Sequence, residues 1–176
     1  MNLIIAISTI ILSAFFSGIE IAFVSSNKLQ LELDKGSEKI SSKIISFFSR
    51  NESSFITTML IGNNISLVIY GIAMTKLLTP LFENYFFDTY VFLLIQTIIS
   101  TLIILVTAEF LPKSIFKLFP NTTLRFFSFP ICCFYILFYP FAMFFLNGSK
   151  FIMRMFLGQN LSENKHFFNK TDLDEY

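Results

Sequence analysis

The feature that most constrains this chain is a series of apolar stretches long enough to cross a bilayer. A helix spans the hydrocarbon core with about 20 mostly apolar residues. Leu3–Val24, Phe55–Leu78 and Thr89–Leu111 each meet that length, and so does Phe126–Leu146. Lipid offers no water to backbone N–H and C=O groups, so such stretches are read as helices that satisfy their own hydrogen bonds. Composition agrees. Only 14% of the 176 residues are charged and the mean hydropathy is +0.67, whereas an ordinary soluble domain is about 25% charged. A formal net charge of +1 calls for no nucleic-acid partner. The first stretch has neither a cationic leader nor a small-residue cleavage site after it, so it reads as a retained span.

Between the first two stretches, residues 27–52 carry Lys28, Lys35, Lys39, Lys43 and Arg50. Ile40, Ile44, Phe47 and Phe48 recur at helical spacing, which predicts an amphipathic helix at the membrane surface. The loop after the second stretch holds Pro80, Glu83, Asn84 and Asp88, with no cation. Cytoplasmic loops carry the excess of Lys and Arg. That rule sets the N-terminus outside and residues 27–52 inside, and brings the third span back to the inside beside Lys113 and Lys117. Pro130 and Pro140 are expected to divide the fourth stretch into short pieces, and Lys150 and Arg154 follow it. The fold expectation is therefore an all-α membrane protein with three transmembrane helices and amphipathic juxtamembrane helices on the cytoplasmic side. Residues 1–158 form the membrane domain. The polar tail, 159–176, reads as the start of a further cytosolic region, which puts the C-terminus in the cytoplasm of a multi-pass cell-membrane protein.

Ionisable residues inside a span cost roughly 2.5–3.5 kcal/mol at its centre and mark functional sites by default. Glu20 and Glu109 qualify. Pro112 has no N–H to give the carbonyl four residues earlier, that of Ala108, so one turn offers a carboxylate and a free carbonyl oxygen. Both are hard ligands that suit Mg²⁺. Lys113, one turn on, also makes Glu109 readable as a simple ion pair. In the first span Ser13, Ser17 and Glu20 share a face with Gly18 beside them, which reads equally as a small-residue packing face. In the second, Gly62, Asn63, Asn64 and Ser66 form a polar patch whose amides need partners in lipid. Cys132 and Cys133 are adjacent in an apolar run and read as small buried residues. The only histidine is His166, in the tail. The spans hold no H-E-x-x-H and no nucleophile–base pair, so the chain does not read as an enzyme.

The segments FFSGIEIAFVSS (15–26), LIGNN (60–64) and AEFLPK (108–113) resemble, in order and spacing, the three motifs of the CNNM/CorC family's transmembrane domain, also called DUF21. The resemblance covers about residues 3–158. It implies a homodimeric Mg²⁺ transport domain of three spans with juxtamembrane helices, in some readings a Na⁺-coupled exporter. It implies Ser17, Asn63 and Glu109 as the metal ligands, with Glu20, Asn64, Ser66 and the Ala108 carbonyl as secondary candidates. Gly18, Gly62, Pro112 and Lys113 support them. Family members usually continue into cytosolic CBS and CorC-type domains, and ATP would bind only through that CBS region. Two positions depart from the pattern: Ala108 stands where Gly is usual, and Leu67 where another Asn is frequent. The alternative reading is a membrane scaffold or accessory protein that keeps the fold without transport, as in gliding-motility-associated members.

Overall fold

The computed structural model describes residues 1–27, 40–82 and 89–157, all of them helical or in short links between helices. Lys28, Lys35, Lys39, the 83–88 loop, His166 and the polar tail lie outside the described residues. In chain order the helices are α1 (Asn2–Ser25), α2 (Ile40–Arg50), α3 (Glu52–Phe82) and α4 (Thr89–Ile104). A π-helical turn, Leu105–Phe110, leads into α5 (Leu111–Leu118), followed by α6 (Pro120–Phe126) and α7 (Ser128–Leu157).

Four helical stretches are long and apolar enough to cross a membrane: Asn2–Ser25, Glu52–Pro80, Tyr90–Leu118 and Ser128–Phe156. The chain is a multi-pass membrane protein. The expected count of three spans is not what length and composition return. The difference lies in α7, which is one continuous helix. Pro130 sits in its first turn, where a missing N–H leaves no hydrogen bond unmade. Pro140 is accommodated inside the helix. Pro80, expected in a loop, likewise falls within the end of α3.

α1 and α3 pack antiparallel along most of their length. Phe23 meets Phe55 at one end with ring centroids 4.3 Å apart, Ser13 meets Asn63 in the middle, and Ala6 joins Tyr70 in one buried cluster at the other end. The Phe23 end is an aromatic core. Phe48 lies 4.8 Å from Phe55 and 5.0 Å from Tyr135 by centroid, and Phe16 lies 4.9 Å edge-on from Phe134. The first two pairs are tilted and the third is edge-to-face, and aromatic pairs of favourable geometry add about 0.5–1.5 kcal/mol each beyond area. They anchor the first half of α7, through Ile131 and Tyr135, to α1, α2 and α3. The Tyr135 and Ser54 hydroxyls share a hydrogen bond of 3.1 Å. The Ala6 end is built from Ala6, Tyr70, Ala73, Met74, Leu78, Ile104 and Ala108, and the Tyr70 hydroxyl donates to the Ser100 carbonyl at 3.0 Å.

The amphipathic helix expected before the second span is present as α2, but its contact face is turned. Ser42, Ile45, Ser46 and Phe48 are the buried positions, whereas Ile40 is 76% and Phe47 51% exposed. The aromatic core takes Phe48, and Phe47, one residue earlier, must then point about 100° away.

Phe55 has no exposed surface and touches both Phe23 and Phe48, whereas Phe145 is exposed. Phe55→Ala should cost about 3–5 kcal/mol and lower the thermal unfolding midpoint in detergent. Phe145→Ala should leave that midpoint within error.

Candidate functional site

Three polar residues of α1 fall on successive turns of its buried face: Thr9, Ser13 and Ser17 are all buried. Thr9 and Ser66 spend their hydroxyls on carbonyls of their own helices. Ser13 is different. Its hydroxyl donates to Asn63 Oδ1 at 2.6 Å and so ties α1 to α3. Ser17, one turn on, is fully buried, and its Oγ has no hydrogen-bond partner among the described residues. A buried hydroxyl without a partner costs about 1–3 kcal/mol, so its retention calls for an explanation.

The third element is the π-helical turn that carries Glu109, and it packs against α1. The Leu111 N–H donates to the Val106 carbonyl, five residues back, instead of to Thr107, four back. Pro112 has no N–H to give Ala108. Two successive carbonyls, Thr107 and Ala108, therefore lack their α-helical donors. The cause is local: a proline in a regular helix clashes with the carbonyl four residues earlier, and widening one turn relieves the clash. Ala108 is fully buried among Ala6, Tyr70 and Ile104.

Glu109, Glu20 and Lys113 are each half-buried, and the Glu20 carboxylate interacts electrostatically with both Lys113 and Glu109. Two formal carboxylates and one ammonium make a net −1 group, and Glu20 lies one turn from Ser17 on α1. Lys113 thus interacts with Glu20 as well as standing one turn from Glu109.

The candidates fare differently. Ser17 and Asn63 both lie on the buried α1–α3 seam, and Glu109 lies on the turn next to it. Glu20 joins the carboxylate group. Ser66 is buried but committed to the Gly62 carbonyl at 2.8 Å. Asn64 is exposed and faces away from the seam, because it follows Asn63 by one residue and only one of two adjacent helical positions can face the partner. Leu67 packs into the apolar cluster with Ala6 and Tyr70. The residue-level reading missed the Thr107 carbonyl. Pro112 was its only signal, and the size of the turn it imposes is not visible in the residues.

Gly18 and Gly62 let the helices close. A Cβ on Gly62 would sit 2.6 Å from the Phe16 ring, and a Cβ on Gly18 would strike the ring of Phe116. Phe16 is locked in the aromatic core, while Phe116 is only partly buried and can swing aside. Gly62→Ala should therefore destabilise by about 1–3 kcal/mol, and Gly18→Ala by less. Thermal midpoints of the two variants in one detergent check the order.

Comparison with known proteins places the chain in a family. The chain is 26% identical over 148 residues to the UPF0053 protein MG146 of Mycoplasma genitalium, covering 80% of this chain and 34% of that protein. The chain thus spans about a third of the length of this relative. The family described as Cyclin M transmembrane N-terminal domain matches residues 4–176, nearly the whole sequence. An all-helical membrane bundle in which a buried seam meets a proline-widened turn, matched along its length by that family, identifies the chain as a member of the CNNM family of membrane domains.

Proposed function

We propose that this domain passes a divalent cation, Mg²⁺ foremost, through an oxygen-lined site between α1, α3 and the π-helical turn. The observation that carries the reading is the fully buried, unpartnered Oγ of Ser17. It lies one turn from the Ser13–Asn63 pair and one turn from Glu20, whose carboxylate interacts with Glu109. Ser17 Oγ, Asn63 Oδ1 and a Glu109 carboxylate oxygen would be the ligands, with the Thr107 and Ala108 carbonyls within the same turn as Glu109. All are hard oxygen donors. Mg²⁺ demands octahedral oxygen coordination and gives up water reluctantly, which a preformed set of oxygens offsets. Coupling to Na⁺, a homodimeric assembly and regulation by ATP through a cytosolic CBS region belong to the same proposal. Broad exposed apolar faces on α4 and α7 give lipid or a second copy ample surface.

Mg²⁺ flux into proteoliposomes of the full-length protein tests this reading. Glu109→Ala should reduce flux at least about tenfold, as loss of a metal-site group commonly does. Equal flux in wild type and variant would sink it. Ser17→Ala separates function from folding. It removes an unsatisfied buried hydroxyl, so the thermal midpoint should hold or rise while flux falls. A midpoint that drops with flux unchanged would make Ser17 a packing residue.

One observation favours a second reading. Leu67, where relatives frequently carry Asn, is absorbed into apolar packing, as in a scaffold that has given up part of the site. Mg²⁺ binding by the purified protein that Glu109→Ala abolishes would count against the scaffold.

The topology proposed with transport follows the cations: Arg50 and Lys150 on the cytoplasmic face, with the N-terminus outside. In a background lacking Cys132 and Cys133, Ser53→Cys and Ser149→Cys should then react with an impermeant maleimide from the same side. Labelling from opposite sides would make α7 a full fourth span.

A further inference from the structure

α2 presents outward an exposed face that meets the aromatic core only where Phe47 lies edge-on to Phe48 and Tyr135, each at 5.9 Å. Ile40, Lys43, Phe47 and Arg50 fall at i, i+3, i+7 and i+10, one stripe of a helix, and all four are exposed. Apolar and cationic side chains alternate along it. Lys43, Ser46, Phe47 and Arg50 line an open cavity of about 240 Å³, and none of these four is acidic. Only Asn51 separates α2 from α3. Asn51 is pinned on both sides: its N–H donates to the Phe48 carbonyl at 3.0 Å, its side-chain amide to the Phe47 carbonyl at 3.0 Å, and its own carbonyl accepts from Phe55 N–H at 2.9 Å. Because α3 is long and apolar enough to be a span, this link holds α2 at the level where that span leaves the hydrocarbon.

We propose that the Lys43–Phe47–Arg50 stripe of α2 is a binding site for the phosphate of an anionic phospholipid, with Ile40 and Phe47 set between its acyl chains. A soluble anion would use the two cations but would have no use for the apolar side chains between them. Long cationic side chains at a boundary lay their methylenes along apolar surface and place the charge among headgroups. A lipid phosphate satisfies both halves of the stripe. A zwitterionic lipid offers the same phosphate with its charge cancelled, so selection is electrostatic. The proposal rests on α2 alone and is independent of whether the seam moves a cation.

Native mass spectrometry of the purified full-length protein, with palmitoyl-oleoyl phosphatidylglycerol and the matching phosphatidylcholine, provides the test. Each cation near an anionic surface favours binding by about fivefold, so the two together should retain phosphatidylglycerol over phosphatidylcholine by about thirtyfold. Lys43→Gln with Arg50→Gln should bring the ratio close to parity while leaving phosphatidylcholine retention unchanged. Lys76→Gln, an exposed cation near the other end of α3, should leave the ratio intact. Retention unaffected by the double variant overturns the proposal, and so does an equal loss in Lys76→Gln. Displacement of phosphatidylglycerol by excess inorganic phosphate overturns it in favour of a soluble anion site.

Discussion

Close approach of α1 to α3 is the constraint on which the remaining packing depends. Lipid is as apolar as a leucine side chain, so helices in a membrane gain little by hiding apolar surface from it. They associate through van der Waals fit and polar contacts instead. Gly62 supplies the fit by leaving room for the Phe16 ring, and the Ser13–Asn63 hydrogen bond of 2.6 Å supplies the polar contact. With that seam closed, Phe16 and Phe23 are held where α2, α3 and α7 can stack around them. The aromatic core is a consequence of the seam, and α7 is docked by that core.

The same closeness gives the site its chemical character. A seam that excludes lipid and water leaves Ser17 Oγ without a partner. The π-helical turn adds two carbonyls without their helical donors. Polar atoms that fail to pair are usually eliminated by packing, since each costs free energy. Ser17 lies one turn before Glu20, whose carboxylate interacts with Lys113 and Glu109. In the proposed transport reading a cation would satisfy Ser17 Oγ and a Glu109 carboxylate oxygen together, a demand unlike the packing at the Ala6 end of the bundle. There Tyr70 finds Ser100 and the apolar cluster closes over Leu67.

Much of this was legible in the residues. Pro112, three places after Glu109, announced a freed carbonyl, because the absence of an N–H is a covalent fact. Gly18, beside Ser13 and Ser17, announced a small-residue packing face for the same kind of reason. What could not be read was phase and register. Two adjacent asparagines look alike in the sequence, yet Asn63 faces the seam and Asn64 faces away. The helix of residues 40–50 was visible from its period, but the aromatic core, not the period, chose Phe48 over Phe47 as the buried ring. Proline was an unreliable guide to where helices stop, because Pro130 occupies a first turn and Pro80 the end of α3.

The sequence by itself determined that this is a helical membrane protein and which residues could supply hard oxygen ligands. Both follow from transfer energies and covalent chemistry, which belong to each residue wherever it sits. The tertiary structure decided which of those oxygens lie on one seam, which are already spent on hydrogen bonds, and that the turn at Glu109 opens by one residue. Those outcomes depend on how several helices share one packed volume, and no local stretch of chain contains that information.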